Sequence, residues 1–166
     1  MKTNSLRTAG YSILAVLGLL TAAGCATYSG SLPVDSETAK TVYISPAIAD
    51  GVQDNLIVPI EVGELPQGVR IKGYAMTVSD AQGGEVYRTG GELPDVEKRK
   101  IRKAPSLEVP QSVTWNGKNA KGFFVPDGEY HYSVEAWDYS GNCGAAGPYT
   151  VIVDNTLPSG EVVYSS

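Results

Sequence analysis

From Thr41 onward, apolar and polar residues alternate in short runs, and Gly, Pro, Asn and Asp separate one run from the next. A period of two sends successive side chains to opposite faces of a strand, whereas an amphipathic helix needs apolar residues three and four apart. Beyond the N-terminal segment, no stretch of ten residues keeps the helical spacing without a Gly or Pro. The pattern therefore predicts an all-β domain. Seven strands are expected, at Thr41–Ser45, Asn55–Val62, Val69–Ser79, Glu85–Thr89, Leu107–Trp115, Glu129–Tyr139 and Tyr149–Val153. In the second, Leu56, Val58, Ile60 and Val62 share a face, and Pro59 turns its missing donor toward an edge. In the third, Tyr74, Met76 and Val78 point inward. The sixth puts Tyr130, Tyr132, Val134 and Ala136 on one face and Glu129, His131, Ser133, Glu135, Trp137 and Tyr139 on the other. Short strands with regularly spaced turn signals suggest an antiparallel two-sheet sandwich.

The chain before Thr41 follows a different pattern. Lys2 and Arg7 precede an apolar run from Ile13 to Leu20, which ends in Thr21-Ala22-Ala23-Gly24 and then Cys25. Spanning a bilayer takes about 20 apolar residues, so this shorter run reads as a signal peptide. Ala22-Ala23-Gly24-Cys25 resembles the lipobox of bacterial lipoproteins, with Ala22 where Leu is more common. The resemblance implies cleavage before Cys25 and a lipid anchor, such as palmitate, on its sulfur. With Ala26 rather than Asp in the next position, it also implies delivery to the outer membrane, on its periplasmic or surface face. An ordinary secretory signal cut nearby, with Cys25 incidental, is the other reading. The expected organisation is a signal peptide over 1–24, a lipidated Cys and flexible tether over 25–40, the sandwich over 41–154 and a tail over 155–166. With Cys25 acylated, Cys143 lacks an intrachain cysteine to pair with, so the sandwich is expected to stand without a disulfide, Cys143 being a quiet half-buried thiol.

A second resemblance lies at the end of the domain. The stretch from Ser112 to Tyr132 contains Val113, Trp115-Asn116-Gly117, Asn119, Gly122 and Val125-Pro126-Asp127-Gly128, followed by Tyr130 and Tyr132. It resembles the immunoglobulin-like domain at the C-terminus of flagellar hook-capping proteins and of many bacterial envelope proteins. Val134, Ala136, Asp138 and Gly141-Asn142 continue the similarity. Upstream, residues 44–56 are similar to the opening of related secreted modules, except that Ala47, Ile48 and Ala49 stand where polar acceptors are usual. The resemblance implies an Ig-like or fibronectin-III-like fold. Physical reasons for these residues exist beside it: Asn116-Gly117 and Asp127-Gly128 suit tight turns, Trp115 can fill the space between two sheets, and Tyr130 can tie a loop in a tyrosine corner.

Composition narrows the function classes. The 166 residues carry 13 Lys and Arg against 18 Asp and Glu, a net charge of −5, which argues against nucleic-acid binding. The single histidine, His131, has no nucleophile within sequence reach. No carboxylate pair has the context of a hydrolase, so the chain is not expected to be an enzyme, to hold a cofactor or to take a small-molecule substrate. Asp50 and Asp54 are weak candidates for a hard cation such as Ca²⁺, against the alternative of an Asx turn. Lys98, Arg99, Lys100, Arg102 and Lys103 form the one basic run, suited to anionic lipid, lipopolysaccharide phosphate or an acidic partner, or else a solvated loop or an edge strand that Lys protects against sheet-to-sheet pairing. Trp137 and Tyr139, on the outward side of the sixth strand, are the candidate partner-binding patch, with those five cations adding attraction. The expected function is a lipid-anchored envelope module, structural or protein-binding. The alternatives are an accessory factor in flagellar or other envelope assembly, and a surface adhesin or glycan-binding module.

Overall fold

The computed structural model describes residues 30–36 and 41–157. The signal peptide, Cys25 and the end of the tail lie outside the described residues, as do the sites at which processing and lipidation are expected.

Ten strands are described: β1 (Gly30–Ser31), β2 (Val34–Asp35), β3 (Thr41–Ile44), β4 (Leu56–Pro59), β5 (Glu61–Val62), β6 (Ile71–Asp80), β7 (Glu85–Glu92), β8 (Ser112–Trp115), β9 (Gly128–Asp138) and β10 (Asn142–Val153). The larger sheet runs β7-β6-β9-β10, and both β1 and β3 pair with the far side of β10. Facing it, β4 pairs antiparallel with β8, Leu56 opposite Trp115 and Val58 opposite Val113. The fold is thus an all-β sandwich. Its sheets are not purely antiparallel, because β1 and β3 run parallel to β10.

The alternation read from sequence accounts for the interior. Leu56, Val58, Val113 and Trp115 from the smaller layer meet Met76, Val78, Tyr132, Val134, Val151 and Val153 from the larger one in a single core. Trp115 is fully buried, donates from Nε1 to the Lys118 carbonyl at 2.7 Å and lies 5.8 Å from the Tyr130 ring. Tyr130 donates its hydroxyl to the Pro126 carbonyl at 2.9 Å, the tyrosine corner, and burial first, then Asp80 and Asp127, pushes that phenol upward in pKa. Gly117 has φ of +70°, and a Cβ there would collide with Pro46, so both the turn and the close approach require glycine.

Several boundaries differ from the expectation. The strand predicted over Asn55–Val62 divides at Ile60 into β4, which pairs with β8, and β5, which pairs with β2. The strand predicted over Leu107–Trp115 is confined to Ser112–Trp115, because Pro105 and Pro110 lack donors and the segment between them is held instead by Leu107 N–H bonding to the Ile71 carbonyl. The final strand begins at Asn142 rather than Tyr149, with a register shift between Ala146 and Tyr149 that absorbs Gly147 and Pro148. β7 continues through Gly90 and Gly91 to Glu92. The largest difference is in the segment expected to be a tether. Residues 30–36 pack on the sandwich: Gly30 and Ser31 pair with Asn142 and Cys143, Leu32 is buried, and Val34 and Asp35 pair with β5. The backbone satisfies itself there, with Leu32 N–H on the Cys143 carbonyl and Gly63 N–H on that of Pro33.

Cys143 is likewise corrected. It is buried, and it is engaged in a disulfide. The partner of that bond lies outside the described residues. On the described side, Cys143 is covered by the pairing of Ser31 with it in β1.

Candidate functional site

The outward face of the larger sheet is built from three rows of side chains. One row holds Glu92, Gly73, Trp137 and Cys143; the next holds Gly90, Ala75, Glu135 and Ala145; the third holds Arg88, Thr77 and Ser133. Trp137 therefore points away from the core, as the alternation predicts, but it is buried all the same, with 8% of its surface exposed. Its indole lies directly over Gly73, where a Cβ would collide with the ring, and it packs with Ala75 and Cys143 in a second cluster. Small residues on the neighbouring strands let the ring lie flat into the sheet. Trp137 is thus not an exposed binding residue. Its Nε1 is buried without a hydrogen-bond acceptor.

Glu135, next in line, is also buried and receives Arg88 at 2.6 Å, while Arg88 also donates to Thr77 Oγ1. The Glu135 Oε2 atom is buried without a partner. A groove of about 320 Å³ runs beside this pair, lined by Tyr74, Arg88, Gly90, Gly91, Glu92 and Trp137 among others. It follows β7, the edge strand of the sheet. Leu93 N–H bonds to the Lys72 carbonyl on the β6 side, and Val86 accepts from Ala120 N–H on the other. Antiparallel strands turn alternate residues inward and outward, so Arg88, Gly90 and Glu92 direct their backbone N–H and C=O away from the sheet. No strand among the described residues pairs with them.

The basic run is a short 3-10 turn, Lys98–Lys103, rather than an extended edge. Its cations diverge. Arg99 and Lys100 both bond to Glu97, at 2.6 and 3.0 Å, and Lys100 then Arg99 lower the pKa of that carboxyl. Lys98 and Arg102 turn instead toward a pocket of about 350 Å³ that also takes in Arg70, Tyr139, Asp138 and Asn142. Tyr139 and part of the basic run are therefore brought together, whereas Trp137 lines the separate β7 groove. The Tyr139 hydroxyl is buried without a partner. Asp138 is buried and held, accepting from Ser140 N–H, Asn142 N–H and Asn142 Nδ2 at 2.7–2.8 Å.

Asp50 and Asp54 serve their own loop: Asp50 accepts from Val52 N–H at 2.8 Å and Asp54 from Gly51 N–H at 2.9 Å. The Asp50 bond is the Asx-turn arrangement, and the Asp54 bond closes the same loop from its other end. No group of three or more His, Cys, Asp or Glu among the described residues is placed to hold a metal. His131 lies 3.6 Å from Glu129 and stands between Ser79 and Thr150, its partners on the two neighbouring strands. Asp127 fastens the start of the tail, accepting from Asn155 N–H and from the Thr156 hydroxyl, which together lower its pKa. Lys72 is held charged by Asp95 and Glu92, which push its pKa well above the usual range.

Three residues of these sites escape sequence reasoning. Arg70 is remote in sequence from the cations it joins, and Arg88 pairs across two strands. Gly73 did carry a signal, since a glycine inside a strand marks close approach of a neighbour.

No family model matches the chain, and no curated protein does. Among solved structures, similarity is found to dimeric latent PorU from Porphyromonas gingivalis, at 16% identity and a TM-score of 0.42, over 61% of this chain and 8% of that one. It is also found to CopC from Methylosinus trichosporium OB3b, at 14% identity and a TM-score of 0.37, over 76% of this chain and 94% of that one. The chain spans a small fraction of PorU's length. No helix among the described residues is long and apolar enough to cross a membrane.

Proposed function

We propose that the chain is a lipoprotein of a bacterial envelope, anchored at the outer membrane through Cys25, and that its sandwich is a non-catalytic module which binds a protein partner along β7. The observation that carries the binding reading is the edge itself. Three alternate residues, Arg88, Gly90 and Glu92, present unpaired backbone groups beside a groove whose floor is glycine and whose wall is Trp137. An extended segment laid there would add a strand, with main-chain bonds giving affinity and the groove taking alternate side chains. An accessory role in flagellar or other envelope assembly is one form such binding would take. Edge strands left bare invite aggregation, and here Arg88 and Glu92 supply the charges that discourage it.

The disulfide at Cys143 favours a second reading of the N-terminus. One sulfur cannot carry both a thioether to lipid and a disulfide, so a chain in which Cys25 bonds to Cys143 is an ordinary secreted protein. Partner binding along β7 is common to both readings. A photo-crosslinking residue at Glu92 is expected to capture an envelope protein in living cells, and the same residue at Ile57, exposed on the opposite layer, is expected to capture none. Equal capture at both positions would remove the case for β7.

A further inference from the structure

We infer that Arg70, Lys98, Arg102 and Tyr139 form a phosphate-binding pocket that seats an anionic lipid headgroup in the membrane to which the chain is anchored. The pocket encloses about 350 Å³ at one end of the larger sheet, between the 67–70 loop, the 3-10 turn and the turn joining β9 to β10. Its three cations make no ion pair with a carboxylate of the described residues, although Arg99 and Lys100, in the same turn, both reach Glu97. The Tyr139 hydroxyl is a buried donor without an acceptor. Asp138 is the one carboxylate in the lining, and its lone pairs are already directed at the Ser140 and Asn142 donors. Three positive charges against one committed negative charge, with two guanidinium forks, suit a tetrahedral oxyanion. This local charge runs against the net −5 of the whole chain.

Position selects the source of the phosphate. Asn142 lines the pocket and pairs with Gly30 in β1. Cys25 is five residues before Gly30, and five extended residues span at most about 18 Å. An acylated Cys25 would therefore let this end of the sandwich come down onto the bilayer surface, where basic side chains are attracted to anionic leaflets. This step rests on the lipid anchor proposed above, whereas the pocket's affinity for phosphate does not.

The test uses the lipidated protein purified from membranes and reconstituted into nanodiscs of phosphatidylcholine alone or with phosphatidylglycerol. Hydrogen exchange in residues 67–70, 98–102 and 138–140 should slow in the anionic discs, and the exposed-residue variant Arg70→Gln/Lys98→Gln/Arg102→Gln should lose that difference. A protein that stays on the discs with equal exchange in both compositions overturns the proposal. A protein that leaves the discs shows that the anchor is wrong; soluble dioctanoyl phosphatidylglycerol then decides for the pocket. Its affinity should fall about fivefold or more for each cation removed, and also for Tyr139→Phe, and no binding by the wild type overturns the proposal. Protection by inorganic phosphate equal to that by the lipid would assign the pocket to soluble phosphate and overturn the membrane role.

Discussion

The two tryptophans lie on opposite sides of the larger sheet, both buried, yet they stand in opposite chemical situations. Trp115 sits between the layers with its N–H bonded to the Lys118 carbonyl. Trp137 lies on the outward face over Gly73, with an N–H that is buried and unpaired. Inside the sandwich every polar atom of the tryptophan is matched, so the residue acts for stability. On the outer face the Trp137 Nε1 and Glu135 Oε2 atoms are buried without a partner among the described residues, an arrangement that costs stability.

The contrast can be broken most severely at Trp115. Trp115→Ala should destabilise the domain by about 3–5 kcal/mol, since it removes a large aromatic from the common core, and chemical denaturation would measure it. A loss below about 1 kcal/mol would remove Trp115 from the core. A smaller loss is expected on the outer face: Arg88→Met leaves Glu135 buried without its cation and should cost about 1–3 kcal/mol. Pairing it with Glu135→Leu should recover most of that loss, because the buried charge is then gone as well. Smaller still is Trp137→Phe, which deletes the unmatched N–H and should leave stability within about 1 kcal/mol of wild type. Trp115→Phe, which breaks a satisfied bond, should cost more. If the two Phe variants cost the same, the distinction between the faces fails.

The smallest effect concerns the tail. Asp127 has its pKa lowered by Asn155 and Thr156, so its contribution is fully present above the ordinary aspartate value of about 3.9 and is lost as pH falls through the depressed folded value. Because the carboxylate is exposed, the expected consequence is local. The protection of the Asn155 and Thr156 amides, taken relative to their intrinsic exchange at each pH, should fall below pH 4 while the core stays protected, and Asp127→Asn should show lower protection there already at neutral pH. Uniform protection across that range would detach Asp127 from the tail.

The interior was legible from sequence because its signal is local. Alternation in 56–62, 74–78 and 130–136 places Leu56, Val58, Met76, Val78, Tyr132 and Val134 inside, where the structure has them. The corner at Tyr130 follows from the Asp127-Gly128 turn just before it. What pattern cannot convey is what lies above an outward residue. Trp137 faces the side that parity assigns, but Gly73, Ala75 and Cys143 come from other strands, two of them through a register irregularity in β6 and an early start to β10. Residues 30–36 read as tether because a short polar segment has no period, and their pairing with β10 and β5 depends on partners more than 25 positions away. The basic run was visible as charge, yet which of its members converge was decided by Arg70 and by the pairing of Arg99 and Lys100 with Glu97.

The anchor is the point on which the proposed role turns, and the intact mass of the protein extracted from the envelope tests it most directly. The account predicts a mature chain beginning at Cys25 and carrying acyl groups on that residue, a mass shift that Cys25→Ser abolishes. A wild-type chain whose mass shows no lipid, with Cys25 recovered in a disulfide to Cys143, would contradict it.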